Sequence, residues 1–232
     1  VPLKQHAGEA AIPAVRVGDA VLKGQTIGTP TSKMSAAIHA PTSGTISAIE
    51  QHRVPSADGH YDLCITIDVD GKDQALDFAP FPLEQKSRAE VLDHLQAMGI
   101  VGLGGAVFPS AAKLMADHGQ PIHALIINGS ECEPYISCDS MLMRERPDDV
   151  VHGVAILQRL CDARDVMIAI EDNKPEALAA MEIAVKKHGG GFQIVTLPTM
   201  YPSGGAKQLI KLLTDIEVPG GRDVDGSDDL IA

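Results

Sequence analysis

The first 80 residues alternate short apolar runs with polar and glycine-containing turns. Residues 14–28 (AVRVGDAVLKGQTIG) place β-branched residues on both sides of two glycine turns, and residues 39–50 and 62–71 continue the alternation. Apolar and polar positions that alternate between turn residues are typical of short β-strands. The pattern predicts a small all-β module over residues 1–80.

The hydrophobic period changes from two to the helical value after residue 85. Ser87 followed by Glu90 has the spacing of a capping box, in which each side chain binds the other's backbone N–H. Gly99 is a natural helix stop because glycine readily adopts the left-handed conformation of that position. The apolar positions between these signals are Val91, Leu92, Leu95 and Met98. The sequence therefore predicts a helix that ends at Gly99.

Strands and helices then alternate along the rest of the chain. We predict strands at residues 122–127, 165–170 and 192–197, and helices near residues 148–161, 175–188 and 205–213. This alternation predicts a Rossmann-like parallel sheet that is covered on both faces. The fold class is thus α/β, with a domain at residues 85–215 behind the β module and a flexible tail at residues 216–232.

Composition narrows the range of partners and compartments. The net charge is −12 over 232 residues, with Lys and Arg scattered, so we expect no nucleic acid partner and no anionic membrane surface. No apolar run approaches the roughly 20 residues of a spanning helix, so no direct membrane insertion is expected. The cysteines have irregular spacing that indicates free thiols in a reducing compartment, the cytoplasm or its face of a membrane. They are Cys64, Cys132, Cys138 and Cys161. A chain that starts at Val1 is expected to be a piece of a longer protein.

A glycine-rich loop with the sequence GLGGAVFPSAAK follows the predicted helix. Glycines without side chains let backbone N–H groups approach a phosphate or a planar ring, an aromatic residue offers a stacking face, and a lysine supplies positive charge. The residues concerned are Gly102, Gly104, Gly105, Phe108 and Lys113. A tight turn between two helices explains the same glycines without a ligand, and both interpretations stay open at this point.

Two more polar loops follow predicted strands, at the sheet edge where ligands of such folds bind. Residues 128–139 (NGSECEPYISCD) place Asn128, Ser130, Glu131 and Glu133 just past a buried strand. A carboxylate there is costly unless it meets a donor, and ribityl or ribose hydroxyls are such donors. The third loop, YPSGGAK, follows the last predicted strand. Neither the nine histidines nor the cysteines have metal-ligand or iron–sulfur spacing, so no metal site is predicted.

The β module resembles a known carrier architecture. The pattern VGDxVxxGQxIG followed by APxxGxI is similar to the barrel-sandwich hybrid of biotinyl and lipoyl carrier domains. Lys33 lies close to the position at which those domains carry their modified lysine. The resemblance leaves two possibilities, a carrier that acts through Lys33 or a structural module with a solvated turn lysine.

The three loops together resemble a respiratory flavoprotein family. GLGGAVFPSAAK is similar to the loop of the NADH-oxidising flavin subunit of respiratory complex I. IINGSECEPYISCD and YPSGGAKQLI resemble the RnfC family, a component of the bacterial Rnf ion-translocating electron-transport complex, and the similarity reaches about residue 219. The resemblance implies FMN as cofactor and NADH or NAD as substrate. It implies that the flavin phosphate binds to Gly102, Gly104, Gly105 and Lys113. The ribityl chain and ring edge would contact Asn128, Ser130 and Glu131, and the opposite wall of the site would consist of Tyr201, Gly204 and Gly205. The nicotinamide nucleotide would face Phe108 and Glu133.

The resemblance also implies a wider setting. Hydride would pass between NADH and FMN without a catalytic side chain, because the cofactor supplies the chemistry. Two [4Fe-4S] clusters are expected only in the full-length protein, so the fragment alone should be inactive in onward electron transfer. The expected partners are the other Rnf subunits, at the cytoplasmic face of the inner membrane, with the fragment itself soluble. Ser130 stands where the complex I subunit has Asp, which alters one flavin contact. A nucleotide-binding or scaffold module without bound flavin is the alternative.

Overall fold

The computed structural model describes residues 1–56, 58–103, 107–115 and 122–218. The chain forms two compact units that divide at residue 115, here called unit 1 and unit 2. The domain division between residues 80 and 85 stays a prediction. Gly104, Gly105 and the tail beyond residue 218 lie outside the described residues.

Unit 1 begins with six antiparallel strands in two three-stranded sheets. One sheet has the order β1-β3-β4 and the other β2-β5-β6. In the longer sheet β5 and β6 pair along nearly their whole length, with a register shift between Ile46 and Ala48. The strands are β1 (Ile12–Pro13), β2 (Ala20–Val21), β3 (Thr26–Thr29), β4 (Ile38–His39), β5 (Gly44–Arg53) and β6 (Tyr61–Val69). The described strands form no closed barrel.

The two sheets share one hydrophobic core. Ile27 and Ile38 from the first sheet pack in the same cluster as Ile46 and Ile65 from the second. Each such fully buried side chain stabilises the fold by about 1.5 to 3 kcal/mol relative to an exposed one. Cys64 on β6 is buried as well, next to Ile65.

Unit 1 continues into two helices, α1 (Arg88–Ala97) and α2 (Ser110–Leu114), after a short 3₁₀ turn (Leu83–Gln85). The predicted capping box is confirmed, because the Glu90 N–H donates to Ser87 Oγ and the Ser87 N–H donates to the Glu90 carboxylate. Gly99 ends α1 with φ +66°. Its N–H donates to the Gln96 carbonyl and the Ile100 N–H to the Leu95 carbonyl, the two bonds of a Schellman motif.

Unit 2 is an α/β structure, which confirms the predicted fold class. Its three strands are parallel in the order β7-β8-β9. The elements are β7 (Ala124–Gly129), α3 (Cys138–Glu145), α4 (Pro147–Cys161), β8 (Asp165–Glu171), α5 (Pro175–His188), β9 (Gln193–Leu197) and α6 (Ala206–Thr214). The predicted elements agree to within about two residues at each end, within the usual uncertainty of such boundaries. The short helix α3 was not predicted, because only eight residues give too little periodicity to detect.

The central strand β8 carries the core of unit 2. Ile168, Ala169 and Ile170 are consecutive and fully buried. Because successive side chains of a strand point to opposite faces, this pattern means that both faces of the sheet are covered. Helix α6 packs on one face, through Leu209 and Ile210. Among the described residues, no helix is both long and apolar enough to cross a membrane.

Candidate functional site

The carboxyl ends of the three parallel strands meet at one edge of the sheet in unit 2. The chain leaves β7, β8 and β9 at this edge through three segments, residues 130–137, 172–174 and 198–205. Open α/β sheets bind ligands outside this edge, because the loops there diverge and leave a crevice. We call this region the strand-end site.

Asn128 joins the first and third of these segments. Its Nδ2 donates to the Gly204 carbonyl at 2.9 Å, and its Oδ1 accepts the Ser130 N–H at 3.1 Å. A Cβ atom at Gly204 would lie 3.1 Å from Ser130 Cβ and 3.5 Å from Cys132 Sγ, so the close approach of the two segments favours glycine. Since β7 and β9 flank β8, these contacts bridge the end of the central strand.

Glu131 is held by donors that belong to the protein itself. The residue is only 4% exposed. One carboxylate oxygen accepts the Asp139 N–H at 2.9 Å, and the other accepts the Lys174 ammonium at 3.2 Å. The Glu131 N–H donates to a carboxylate oxygen of Glu171 at 3.2 Å. The sequence led us to expect ligand hydroxyls as the donors to Glu131, whereas the structure supplies an ammonium group and a backbone N–H.

These contacts set the charge of the site. Burial raises the pKa of Glu131, but the Asp139 N–H and the Lys174 ammonium favour the carboxylate more strongly, so the pKa is lowered overall. On the third segment, Thr199 donates both its hydroxyl and its N–H to Asp172 at the end of β8. These bonds lower the pKa of Asp172 and tie the segment after β9 to the central strand.

Three buried oxygen atoms at this edge have no hydrogen-bond partner in the described structure. They are Ser130 Oγ, Glu171 Oε1 and Ser203 Oγ. Buried polar atoms are nearly always paired, with protein, water or ligand. In the described part of unit 2, every buried side-chain oxygen or nitrogen without a partner lies at the strand-end site. Serine hydroxyls donate or accept and a carboxylate oxygen accepts, so the three atoms together fit a ligand rich in hydroxyl groups.

The other predicted residues of unit 2 lie on the segments that follow β7 and β9. Glu133 and Tyr201 are exposed, and the peptide bond between Tyr201 and Pro202 is cis. Gly205 occupies the N-cap position of α6, where no side chain caps the helix. Sequence analysis missed Glu171 and Lys174, although their position directly at and after the end of β8 is a usable signal.

The glycine-rich segment lies in unit 1 and is described by itself. The Gly102 N–H donates to the Phe108 carbonyl at 2.8 Å, and Lys113 Nζ lies 5.7 Å from the centre of the Phe108 ring. Val107 has φ +46°, a strained conformation for a β-branched residue. Strain of this kind is concentrated at functional loops. A Cβ at Gly102 would make only ordinary contacts, at 3.7 Å, so the described protein atoms do not require glycine there.

Neither a metal site nor a carrier site gains support from the structure. Donor atoms of Glu131, Cys138 and Asp139 lie within 4.8 Å of one another. Both Glu131 oxygens already accept protein hydrogen bonds, one of them from an ammonium group, so we assign no ion there. All four cysteines are thiols. Lys33 is exposed in the turn between β3 and β4, a position compatible with either interpretation of that residue.

Two family models match the chain. The Nuo51 FMN-binding domain matches residues 95–227, and the RnfC barrel sandwich hybrid domain matches residues 1–72. A solved structure of an NAD+-reducing [NiFe]-hydrogenase in the H2-reduced state is similar with a TM-score of 0.50 and 23% identity, over 57% of this chain and 25% of that one. This likeness supports the fold alone.

Curated relatives are considerably more similar in sequence. The RnfC subunit of the ion-translocating oxidoreductase complex of Pseudomonas aeruginosa is 50% identical over 220 residues, which are 94% of this chain and 28% of the relative. The protein of the same name from Pectobacterium carotovorum is 47% identical over 96% of this chain and 30% of the relative. The chain thus spans less than a third of the length of these two relatives. With an RnfC barrel sandwich hybrid domain followed by a Nuo51 FMN-binding domain, the chain belongs to the RnfC family.

Proposed function

We propose that the chain binds FMN at the strand-end site and exchanges hydride between NADH and that flavin. The observation that carries the proposal is the set of buried, unpaired oxygens of Ser130, Glu171 and Ser203 at the edge of the sheet. The match to the Nuo51 FMN-binding domain spans the same residues. Ribityl hydroxyls can donate to the Glu171 oxygen and can donate to or accept from the two serine hydroxyls.

The residues of the strand-end site bind and orient, and the flavin when bound supplies the hydride chemistry. Ser130 and Ser203 would hydrogen-bond the ribityl chain. Asn128 would act through its bond to the Gly204 carbonyl, which holds the segment with Gly204 and Gly205 in place. Glu133 and Tyr201 are both exposed. Glu133 would face the nicotinamide nucleotide, and Tyr201 would face the flavin ring. In unit 1, Gly102, Phe108 and Lys113 are assigned to the phosphate and nucleotide by the family resemblance, together with Gly104 and Gly105.

The wider role follows the relatives of the chain. The proteins it matches are named as subunits of an ion-translocating oxidoreductase complex. We therefore propose that the chain is part of an electron-input subunit, associated with other complex subunits at the cytoplasmic face of a bacterial inner membrane. Iron–sulfur clusters would receive the electrons in a part of the protein outside this chain, so this piece alone would not pass them on.

The unpaired serines provide a sharp test. Removing an unpaired buried hydroxyl relieves an unsatisfied polar group, so Ser130→Ala and Ser203→Ala should leave the free energy of unfolding unchanged or raise it. The same variants should weaken FMN binding, measured by flavin fluorescence quenching, about 2- to 10-fold each. Failure of the unsubstituted chain to bind FMN would refute the proposal, and so would unchanged FMN affinity in both variants.

The lysine of the glycine-rich segment is tested by comparing two flavins. Lys113→Ala should weaken FMN by roughly 10- to 150-fold and riboflavin much less, because riboflavin lacks the phosphate. Lys33→Ala, an exposed lysine of the same unit, is the matched control and should change neither affinity. Equal affinity of the unsubstituted chain and Lys113→Ala for FMN would remove Lys113 from the site. Anaerobic bleaching of the flavin absorbance by NADH tests the hydride step separately.

A further inference from the structure

The Lys174–Glu131 ion pair is the most deeply placed ion pair at the strand-end site. Its nitrogen–oxygen distance is 3.2 Å, and the side chains of Lys174 and Glu131 are only 16% and 2% exposed. Lys174 lies directly before α5, and its own N–H donates to the Glu171 carbonyl at the end of β8. The pair therefore connects the loop after β7 to the central strand and to α5.

The charged and titratable groups around Glu131 come from three elements. Glu171 approaches from β8 and accepts the Glu131 N–H. Cys138 and Asp139 approach from the start of α3, with donor atoms within 4.8 Å of the Glu131 carboxylate. Lys174 approaches from the start of α5. Among the residues that the structure describes, Lys174 supplies the one cation in ion-pair contact with Glu131, against several acidic neighbours.

We propose that Lys174 is a positioning residue of the flavin site: it keeps Glu131 ionised and thereby fixes the 130–139 segment that carries Ser130. This inference rests on the proposed function. Its basis is the geometry of the pair, its burial, and the lack of a second cation in ion-pair contact with Glu131 among the described residues. Lys174 acts through Glu131 and contacts neither the flavin nor the nucleotide.

The physical consequence of removing the ammonium is protonation of Glu131. A buried carboxylate that has lost its cation also lacks the solvation that water would give, so the protonated form of Glu131 is favoured. Glu131 then takes up a proton as the pH falls. Its carboxyl group then offers a weaker acceptor to the Asp139 N–H, and the 130–139 segment loses one of its anchors.

Lys174→Met tests the inference, because methionine keeps much of the side-chain volume and removes the charge. Lys186→Met is the matched control, an exposed lysine on α5. In the ligand-free protein, carboxyl ¹³C NMR should show a higher pKa for Glu131 in Lys174→Met and an unchanged one in Lys186→Met. This measurement does not depend on flavin.

FMN affinity as a function of pH gives the functional readout. Between about pH 5 and 8 the FMN phosphate itself titrates, so each variant is compared with the unsubstituted chain. Relative to that chain, the FMN affinity of Lys174→Met should weaken toward low pH by up to about 10-fold per pH unit. Lys174→Arg should restore the pH profile of the unsubstituted chain, because arginine returns the positive charge. In Lys174→Met/Glu131→Gln the pH profile should return to that of the unsubstituted chain, since the carboxyl group of Glu131 is no longer there to titrate.

The outcomes separate this inference from the proposed function. An unchanged Glu131 pKa in Lys174→Met, or an FMN profile in that variant equal to that of the unsubstituted chain, overturns the role of Lys174 while FMN binding by the unsubstituted chain still stands. No FMN binding by the unsubstituted chain overturns both. If Lys174→Met does not fold, recovery of folding in Lys174→Met/Glu131→Gln supports the inference, and failure to recover overturns it.

Discussion

Replacing Gly99 by alanine tests how α1 is terminated in unit 1. Gly99 adopts φ +66°, which L-residues other than Asn and Asp rarely accept. A Cβ atom at this position would lie 2.5 Å from the carbonyl oxygen of Ala37 and 3.3 Å from two ring atoms of His39. The substitution therefore imposes backbone strain and a collision with backbone at the same time.

The two effects can be separated in magnitude. Left-handed strain costs an alanine about 1 kcal/mol relative to glycine. The collision forces backbone or ring to move, and overpacking of this kind costs about 1 to 3 kcal/mol. Gly99→Ala should thus lower the free energy of unfolding by about 2 to 4 kcal/mol. Gly71→Ala is the matched control in the same unit, with φ +74° and nothing within 4 Å of the added Cβ, and should lose only about 1 kcal/mol.

Urea unfolding followed by far-ultraviolet circular dichroism measures both losses. A shift of the midpoint at constant slope identifies a change in native-state stability. A loss for Gly99→Ala no greater than that for Gly71→Ala would refute the collision, and with it the close approach of the end of α1 to Ala37.

Three further changes test other parts of the structure. Met181→Ala removes a fully buried side chain from α5 and should cost about 2 to 5 kcal/mol in thermal unfolding, so a loss below about 1 kcal/mol would contradict its packing. Asn128→Asp places a carboxylate oxygen against the Gly204 carbonyl, so it should weaken FMN binding and lower the free energy of unfolding by about 1 to 2 kcal/mol. If neither quantity changes, the bond between Asn128 and Gly204 is absent. Burial lowers the pKa of His39 despite a bond to the Ala97 carbonyl that raises it. The folded state therefore binds fewer protons than the unfolded state, and the free energy of unfolding should fall as the pH drops below the unfolded value of 6.5, a dependence that His39→Gln should reduce.

Local interactions explain which features could be predicted from sequence. The capping box of Ser87 and Glu90 and the helix stop at Gly99 each involve residues within one or two turns of the chain. The apolar periods likewise predict β7, β8 and β9 and the helices between them, because a parallel sheet covered on both faces needs that pattern. The position of the site at the strand ends follows from topology, once the strands are known to be parallel.

The partners of the site residues could not be predicted in this way. Asn128 binds the Gly204 carbonyl 76 residues away, and Lys174 binds Glu131 across 43 residues. Such contacts depend on which strand lies in the centre of the sheet and on which way each loop turns after its strand. The sequence by itself determined most of the elements of unit 2, the fold class and the loops that carry polar groups, because these depend on short-range periodicity and turn chemistry. Only the tertiary structure decided that Glu131 is paired with Lys174 and that Ser130 and Ser203 are left unpaired, because burial and hydrogen-bond partners are properties of the packed chain.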